Sequence, residues 1–165
     1  MDTQQYSDPA GMPDDERMTD AEFRVVREYL GLTGDWLAGH LGVSPRTVRH
    51  WEQGKYPIPD GVRLALEDLE ARTAAFVEGV VDQLMDMPDP GVLVYRTDAD
   101  YHAANPDIDF PASWNRAVVA RVAYEVPGLR IAYADSPAAE AAAQPPAESE
   151  GTASPARPAA RSSRD

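Results

Sequence analysis

The side chains best suited to bind a charged partner lie in one basic window, residues 44–63, of an otherwise acidic chain. The 165 residues include 28 Asp and Glu against 15 Lys and Arg, and the formal net charge is −13. Within the window, two acidic residues are outnumbered by Arg46, Arg49, Lys55 and Arg63. A guanidinium group binds a guanine edge or a phosphate in bidentate fashion, and an ammonium group binds phosphate. The window therefore indicates an anionic partner, although a polyanion would repel the chain as a whole.

Two short helices joined by a tight turn are predicted to present this window. Thr33 caps the first helix, and Ser44 caps the second, in which Pro45 takes the first position. Gly42 ends the first helix and allows a positive φ at the turn. Small or apolar residues fall where two crossing helices need them, at Ala38, Val43, Val48 and Trp51. The spacing predicts a helix-turn-helix.

The outward face of the second helix follows from its periodicity. Because Val48 and Trp51 face inward, Arg46 and Arg49 face outward on the part of the helix that contacts the major groove, where each could bind a base or a phosphate. Hydroxyl and backbone N–H groups at the two helix N-termini could bind phosphates. The candidate DNA-binding residues are Thr33, Ser44, Arg46, Thr47, Arg49, His50, Gln53 and Lys55.

Two further helices complete the predicted domain at residues 19–87. Asp20 is the expected cap of the first, which ends at Gly31 and has Phe23, Val26 and either Tyr29 or Leu30 as apolar positions. Asp60 is the expected cap of a long helix that connects this domain to the rest of the chain. Its predicted buried stripe is Val62, Leu66, Leu69, Phe76, Val80 and Leu84.

Residues 88–134 predict a small α+β domain after a turn at 87–91. Short strands are expected at 92–95 and 129–133, with helices at 97–104 and 113–125 between them. Two short strands make a poor sheet, and the second of these helices is apolar on most sides, so a second copy of the chain is the simplest partner. The candidate dimerisation residues are Val92, Val94, Tyr95, Trp114, Val118, Val122, Ile131 and Tyr133. The expected fold class is mainly α, with an N-terminal helix-turn-helix bundle and long helix before this dimerisation domain.

Both ends of the chain are predicted to be disordered. Residues 1–18 form an acidic arm without periodicity, and residues 135–165 contain ten Ala and five Pro but no large apolar residue. The chain has no Cys, no apolar run long enough to span a membrane and no signal-like N-terminus, which favours the cytoplasm. No catalytic constellation is found, so neither enzyme activity nor a metal or other cofactor is expected.

Two stretches resemble known families. Residues 42–55, GVSPRTVRHWEQGK, resemble the XRE/Cro/C1-type repressors, and residues 51–60, WEQGKYPIPD, resemble YdiL-like proteins and the anti-CRISPR-associated (Aca) autorepressors. The likeness continues over residues 21–134, through Val94-Tyr95-Arg96, Tyr101, Asn105-Pro106-Asp107 and Trp114. One departure is Pro45, at a position where the wider superfamily often has a polar base reader.

This resemblance implies a homodimer that joins through its C-terminal half, binds an inverted repeat and represses its own operon. It makes Arg46, Arg49 and His50 candidate base readers, and Thr33, Ser44, Gln53 and Lys55 candidate phosphate contacts. Such a protein would be associated with the nucleoid when bound to its operator. Two alternatives stay open, an antitoxin-type protein-interaction module and an RNA-binding repressor. The tail lacks the apolar anchors that a toxin-wrapping segment needs, and no aromatic platform is apparent beside Arg46 and Arg49.

Overall fold

The computed structural model describes residues 6, 8, 12, 13 and 16–143. In this part of the chain, seven helices and two strands follow in the order α1 (Asp20–Tyr29), α2 (Gly34–Leu41), α3 (Pro45–Glu52), α4 (Asp60–Leu84), β1 (Gly91–Val94), α5 (Asp98–Ala104), α6 (Ala112–Glu125), β2 (Arg130–Tyr133) and α7 (Ala139–Ala143). The expected mainly α fold class is confirmed. None of these helices is long and apolar enough to cross a membrane.

Helices α2 and α3 begin and end where the sequence predicts. The Thr33 hydroxyl oxygen accepts the Trp36 N–H at 3.1 Å, and the Ser44 hydroxyl oxygen accepts the Thr47 N–H at 3.1 Å. Gly42 caps α2 with a φ of 68°, a left-handed conformation that glycine adopts without strain. Because both caps and the turn depend on residues close in sequence, local signals suffice to predict this unit.

The cap of α1 differs from the expected one. Thr19, not Asp20, precedes the helix, and its side chain accepts the Glu22 N–H while the Glu22 carboxylate accepts the Thr19 N–H at 2.8 Å. This reciprocal pair is a capping box, which satisfies two backbone donors at once. Asp20 is therefore the first helical residue, where its negative charge still favours the helix dipole.

The cap of α4 comes from a distant part of the chain. Asp60 is the first residue of the helix, and Pro59 before it has no side chain able to accept a hydrogen bond. The Asp60 N–H instead donates to Asp8 Oδ1 at 2.7 Å. Nearby, the Tyr6 hydroxyl donates to the Leu41 carbonyl at 2.8 Å. The arm predicted to be disordered thus contributes two residues that pack against the helical domain.

Removing the Asp8 carboxylate should destabilise the fold in a pH-dependent way. The hydrogen bond from the Asp60 N–H, followed by the one from Arg17, lowers the pKa of Asp8 below its usual value. A lowered carboxylate pKa stabilises the fold above the unfolded pKa of about 4, and the effect is lost as pH falls through the folded pKa. We expect Asp8→Ala to reduce the free energy of unfolding by about 1 kcal/mol at pH 7, the usual value of a helix cap.

Urea unfolding at pH 7 and below pH 3 measures this contribution. The matched control is Asp86→Ala, which removes an equal charge from an exposed position. Equal losses in the two variants, or a loss at Asp8 that persists at low pH, would contradict the capping role.

The buried stripe of α4 agrees with the predicted one at Val62, Leu66, Leu69 and Leu84 and differs from it between residues 73 and 81. The residues it buries are Val62, Leu66, Leu69, Thr73, Val77, Val81 and Leu84. Phe76 is 37 % exposed and Val80 is half-buried, so both lie at the margin of the stripe. Thr73 was not predicted to be buried because a polar residue in a helix is normally expected to face the solvent. Its hydroxyl donates to the Leu69 carbonyl at 2.6 Å and accepts from Trp114 Nε1 at 3.0 Å, so burial leaves it satisfied.

The C-terminal half is built on a parallel two-stranded sheet. Strands β1 and β2 pair from Gly91 opposite Arg130 to Val94 opposite Tyr133, and α5 and α6 form the crossover between them. Helix α6 packs against α4 and β1. A parallel pair requires such a helical connection, which the element order of the sequence supplies.

Helix α7 corrects the expected start of the disordered tail. It packs against β1 and β2, and Ala142 is buried there. At Gly91 a Cβ atom would lie 2.0 Å from the Ala142 carbonyl oxygen, so only glycine allows this close approach. Because α7 approaches β1 so closely, small alanine side chains are enough to pack it against the sheet. The amino-acid composition alone does not reveal this close approach. Residues 144–165 of the predicted tail lie outside the described part of the chain.

Candidate nucleic-acid interface

The outward face of α3 is fixed by what its inner face packs against. Val48 and Trp51 are buried, and the Trp51 ring meets Phe23 of α1 edge-on at 5.9 Å between centroids. Arg46 and Arg49 are consequently exposed on the opposite side of the helix. The structure therefore places these two arginines as the sequence predicts.

The only acidic residue of α3 is neutralised inside the bundle. Arg27 Nε of α1 donates to Glu52 Oε1 at 2.5 Å, and the two side chains are 13 % and 15 % exposed. A second Arg27 nitrogen donates to the Leu32 carbonyl at 2.8 Å. In the sequence, Glu52 counts against the positive charge of the window. In the fold it belongs to an internal pair that ties α1 to α3, and it does not offset the outer face.

The cations of the α3 face differ from most other arginines in the part of the chain that the structure describes. Across the described residues, Arg46, Arg49 and Lys55 form no ion pair with a carboxylate. By contrast, intramolecular pairs hold Arg24 to Glu28, Arg63 to both Asp60 and Glu67, and Arg96 to Asp135. Arg63, part of the basic window by sequence, is thus already engaged. Three exposed and unpaired cations on one short segment form a surface suited to an anionic ligand.

His50 lies half-buried at the edge of this face, beside Tyr56. The two rings meet edge-on at 5.1 Å, and Tyr56 itself is largely exposed. Partial desolvation, followed by the positive charges of Lys55, Arg46 and Arg49, lowers the pKa of His50 below its usual value. At neutral pH the imidazole is therefore uncharged, with one donor and one acceptor nitrogen. The sequence reasoning missed Tyr56; the signal was an aromatic residue directly after Lys55.

The remaining predicted contacts lie at or near the ends of α2 and α3. Thr33, Ser44, Gln53 and Lys55 are exposed. The Ser44 hydroxyl is also 2.9 Å from the hydroxyl of half-buried Thr47, so these two side chains form one polar pair at the start of α3. The first-turn N–H groups of α2 and α3 lie at the positive end of each helix dipole, and this arrangement favours the binding of phosphate.

The predicted dimerisation residues divide into core and surface sets. Val94, Trp114, Val118 and Val122 are buried within the protomer, so their side chains belong to its core. Three of them lie on α6, which packs against α4 and β1, so their cover comes from within the protomer, which the sequence reasoning did not anticipate. Val92, Tyr95 and Tyr133 are half-buried, and Ile131 is 48 % exposed. Ile131 and Tyr133 line a shallow apolar groove of about 270 Å³ with Val119 and Ala120.

Comparison with known proteins decides the family. A model of the helix-turn-helix domain matches residues 21–86, which span α1 to α4. The chain is also 32 % identical over 91 residues to the Aca2 repressor of Pectobacterium phage ZF40, a match that covers 54 % of this chain and 78 % of that protein. The chain belongs to this family of helix-turn-helix repressors.

Membership in the family confirms the resemblance noted from the sequence. It makes this protein a DNA-binding transcriptional regulator, in a family of regulators rather than enzymes. The residues matched by the domain model include the capped helices α2 and α3 and the three cations of the α3 face, Arg46, Arg49 and Lys55. Within the described ranges, no group of three or more His, Asp or Glu side chains is placed to hold a metal ion.

Proposed function

We propose that this protein is a homodimeric repressor that binds an inverted repeat at its own operon, with α3 of each protomer in the major groove. The observation that carries the proposal is the exposed face of α3, where Arg46, Arg49 and Lys55 are not paired with any carboxylate of the described chain. In a protein of net charge −13, cations kept free of internal partners on one face are best explained by an external anion.

Each side chain of the face has a proposed role that fits its position. Arg46 and Arg49 read base edges, and the uncharged His50 imidazole reads a third. Lys55 and Gln53 hold phosphates at the end of α3, while Thr33, Ser44 and Thr47 bind the backbone at the helix starts. Pro45 at the tip of α3 has no donor and makes no base contact.

The dimer of the proposal joins through the C-terminal half, on the surface around Ile131 and Tyr133. Ile131 is 48 % exposed there and lines the apolar groove together with Tyr133. A single recognition helix makes few contacts, and joining two on one frame raises affinity through effective concentration. The two half-sites would lie about 34 Å apart, one turn of DNA. Such a regulator acts in the cytoplasm and is associated with the nucleoid when bound.

A mobility-shift measurement with DNA from upstream of its own gene tests the proposal. We expect a specific complex that survives excess competitor and weakens steeply between low and physiological salt, because each phosphate contact releases a counterion. The control is the same fragment with both half-sites scrambled. A flat salt dependence, or equal binding to the scrambled fragment, would contradict the proposal and direct the search to an RNA or protein partner.

A further inference from the structure

An aromatic stack joins the helix-turn-helix to the C-terminal half of the chain. The Trp36 ring, in the first turn of α2, stacks on Phe110 at 5.4 Å with an interplanar angle of 20°. Trp36 Nε1 also donates to the Asp109 carbonyl at 3.1 Å. Phe110 and Asp109 belong to the loop before α6, so one side chain of α2 binds this loop through both a ring face and a hydrogen bond.

The far end of the stack is fixed in the core. Phe110 stacks on Trp114 of α6 at 4.1 Å and 11°, and the Trp114 indole N–H donates to Thr73 of α4. The Arg72 guanidinium lies 5.2 Å from the centre of the Phe110 ring. Trp36 therefore rests on a rigid support that spans α4 and α6, not on a loose loop.

A second attachment lies at the end of α1. Gly31 has a φ of 67°, and a Cβ atom there would lie 2.5 Å from the Ser113 carbonyl oxygen of α6. Close by in the sequence, at the last residue of α1, the Arg121 guanidinium lies 3.7 Å over the Tyr29 ring. These two attachments, at the end of α1 and the start of α2, set the angle between the helix-turn-helix and α6.

We propose that Trp36 is a positioning residue that sets which half-site spacing the dimer accepts. Helix α2 packs directly on α3, so the two move as one body and a tilt of α2 displaces the recognition helix. We call the contacts that hold the helix-turn-helix against α6, at Trp36 and Gly31, the joint. In a dimer joined by its C-terminal halves, the distance between the two α3 helices depends on this joint. The claim that Trp36 sets the half-site spacing rests on the proposed function, whereas the claim that it makes the joint rigid does not.

The DNA test compares Trp36→Ala with wild type on operators whose half-sites are moved apart or together by 1 or 2 base pairs. We expect wild type to lose about tenfold or more in affinity on the altered spacings, because α3 of the second protomer no longer reaches its half-site. Trp36→Ala should bind the native operator less tightly but discriminate less among spacings. On a single half-site it should match wild type. Equal weakening on the half-site would show a local role of Trp36 and overturn the proposal.

Trp36→Phe is the matched control, since it keeps an aromatic ring for the stack on Phe110 and loses the indole N–H together with part of the ring area. It should retain most of the spacing preference. Thermal unfolding of all three proteins checks that the fold persists, as expected for a side chain at the surface of the joint.

A measurement without DNA separates failure of this proposal from failure of the proposed function. The chain has no cysteine, so nitroxide labels can be placed through Gly39→Cys on α2 and Glu125→Cys on α6, both at exposed positions. Dilution with unlabelled chain confines the measured distance to one protomer. We expect a narrow distance distribution in the wild type and in the Trp36→Phe variant, and a broader one in Trp36→Ala. An unchanged distribution in Trp36→Ala overturns the positioning role, whether or not wild type binds the operator.

Discussion

Arg46→Ala and Arg49→Ala are each expected to abolish selective operator binding while the protein stays folded. Loss of one bidentate base contact costs about 1–3 kcal/mol, and an operator with two half-sites contains each contact twice. Binding of the native operator should therefore approach that of scrambled DNA. Because both side chains are exposed and not ion-paired within the described chain, their removal leaves no buried group unsatisfied. Competition binding gives the specificity ratio, and urea unfolding gives the stability.

Two controls separate base reading from charge. Arg49→Lys keeps the positive charge but loses the planar fork, so it should bind all DNA moderately well with little selectivity. Arg24→Ala removes an exposed cation of α1 that is already paired with Glu28, and should leave operator binding unchanged. If both α3 variants bind the native operator as tightly as wild type, the recognition face has been assigned wrongly.

The helix-turn-helix could be predicted because the sequence signals for its caps and its turn are local. Thr33, Gly42 and Ser44 each act within four residues of themselves, as caps or as a turn, and the inward positions of α3 then fix its outward face. The same reasoning gave the β1, α5, α6 and β2 elements to within one or two residues. Where the structure is determined by short-range hydrogen bonds and periodicity, one sequence is enough.

Three polar contacts that escaped prediction depend on residues distant in sequence. Asp8 caps α4 from 52 positions away, and Arg27 neutralises Glu52 across 25 positions. Thr73 becomes a core residue only because Trp114 supplies a donor to it. In each case a polar side chain is paired rather than solvated, and hydrophobic periodicity contains no information about such pairing.

Trp114 shows how this limit changes a functional expectation. As an apolar residue of a helix for which the sequence indicates no cover, it is a candidate interface residue. In the fold it is 1 % exposed, stacked on Phe110 and hydrogen-bonded to Thr73, so its partners lie within the protomer. A substitution there tests the core first and the dimer only indirectly.

Trp114→Ala is accordingly expected to destabilise the whole protein rather than dissociate a folded dimer. Truncation of a buried tryptophan costs about 3–5 kcal/mol, and domains of this size have about 5–15 kcal/mol in total. The Thr73 hydroxyl would also lose the indole donor, and Trp36 would lose the support beneath Phe110. Urea unfolding followed by sedimentation measures both effects. Ile131→Asp is the contrasting variant, since it places a charge on a half-exposed strand residue and should weaken association with little loss of stability. A Trp114→Ala protein that unfolds like wild type yet sediments as a monomer would return this residue to the interface.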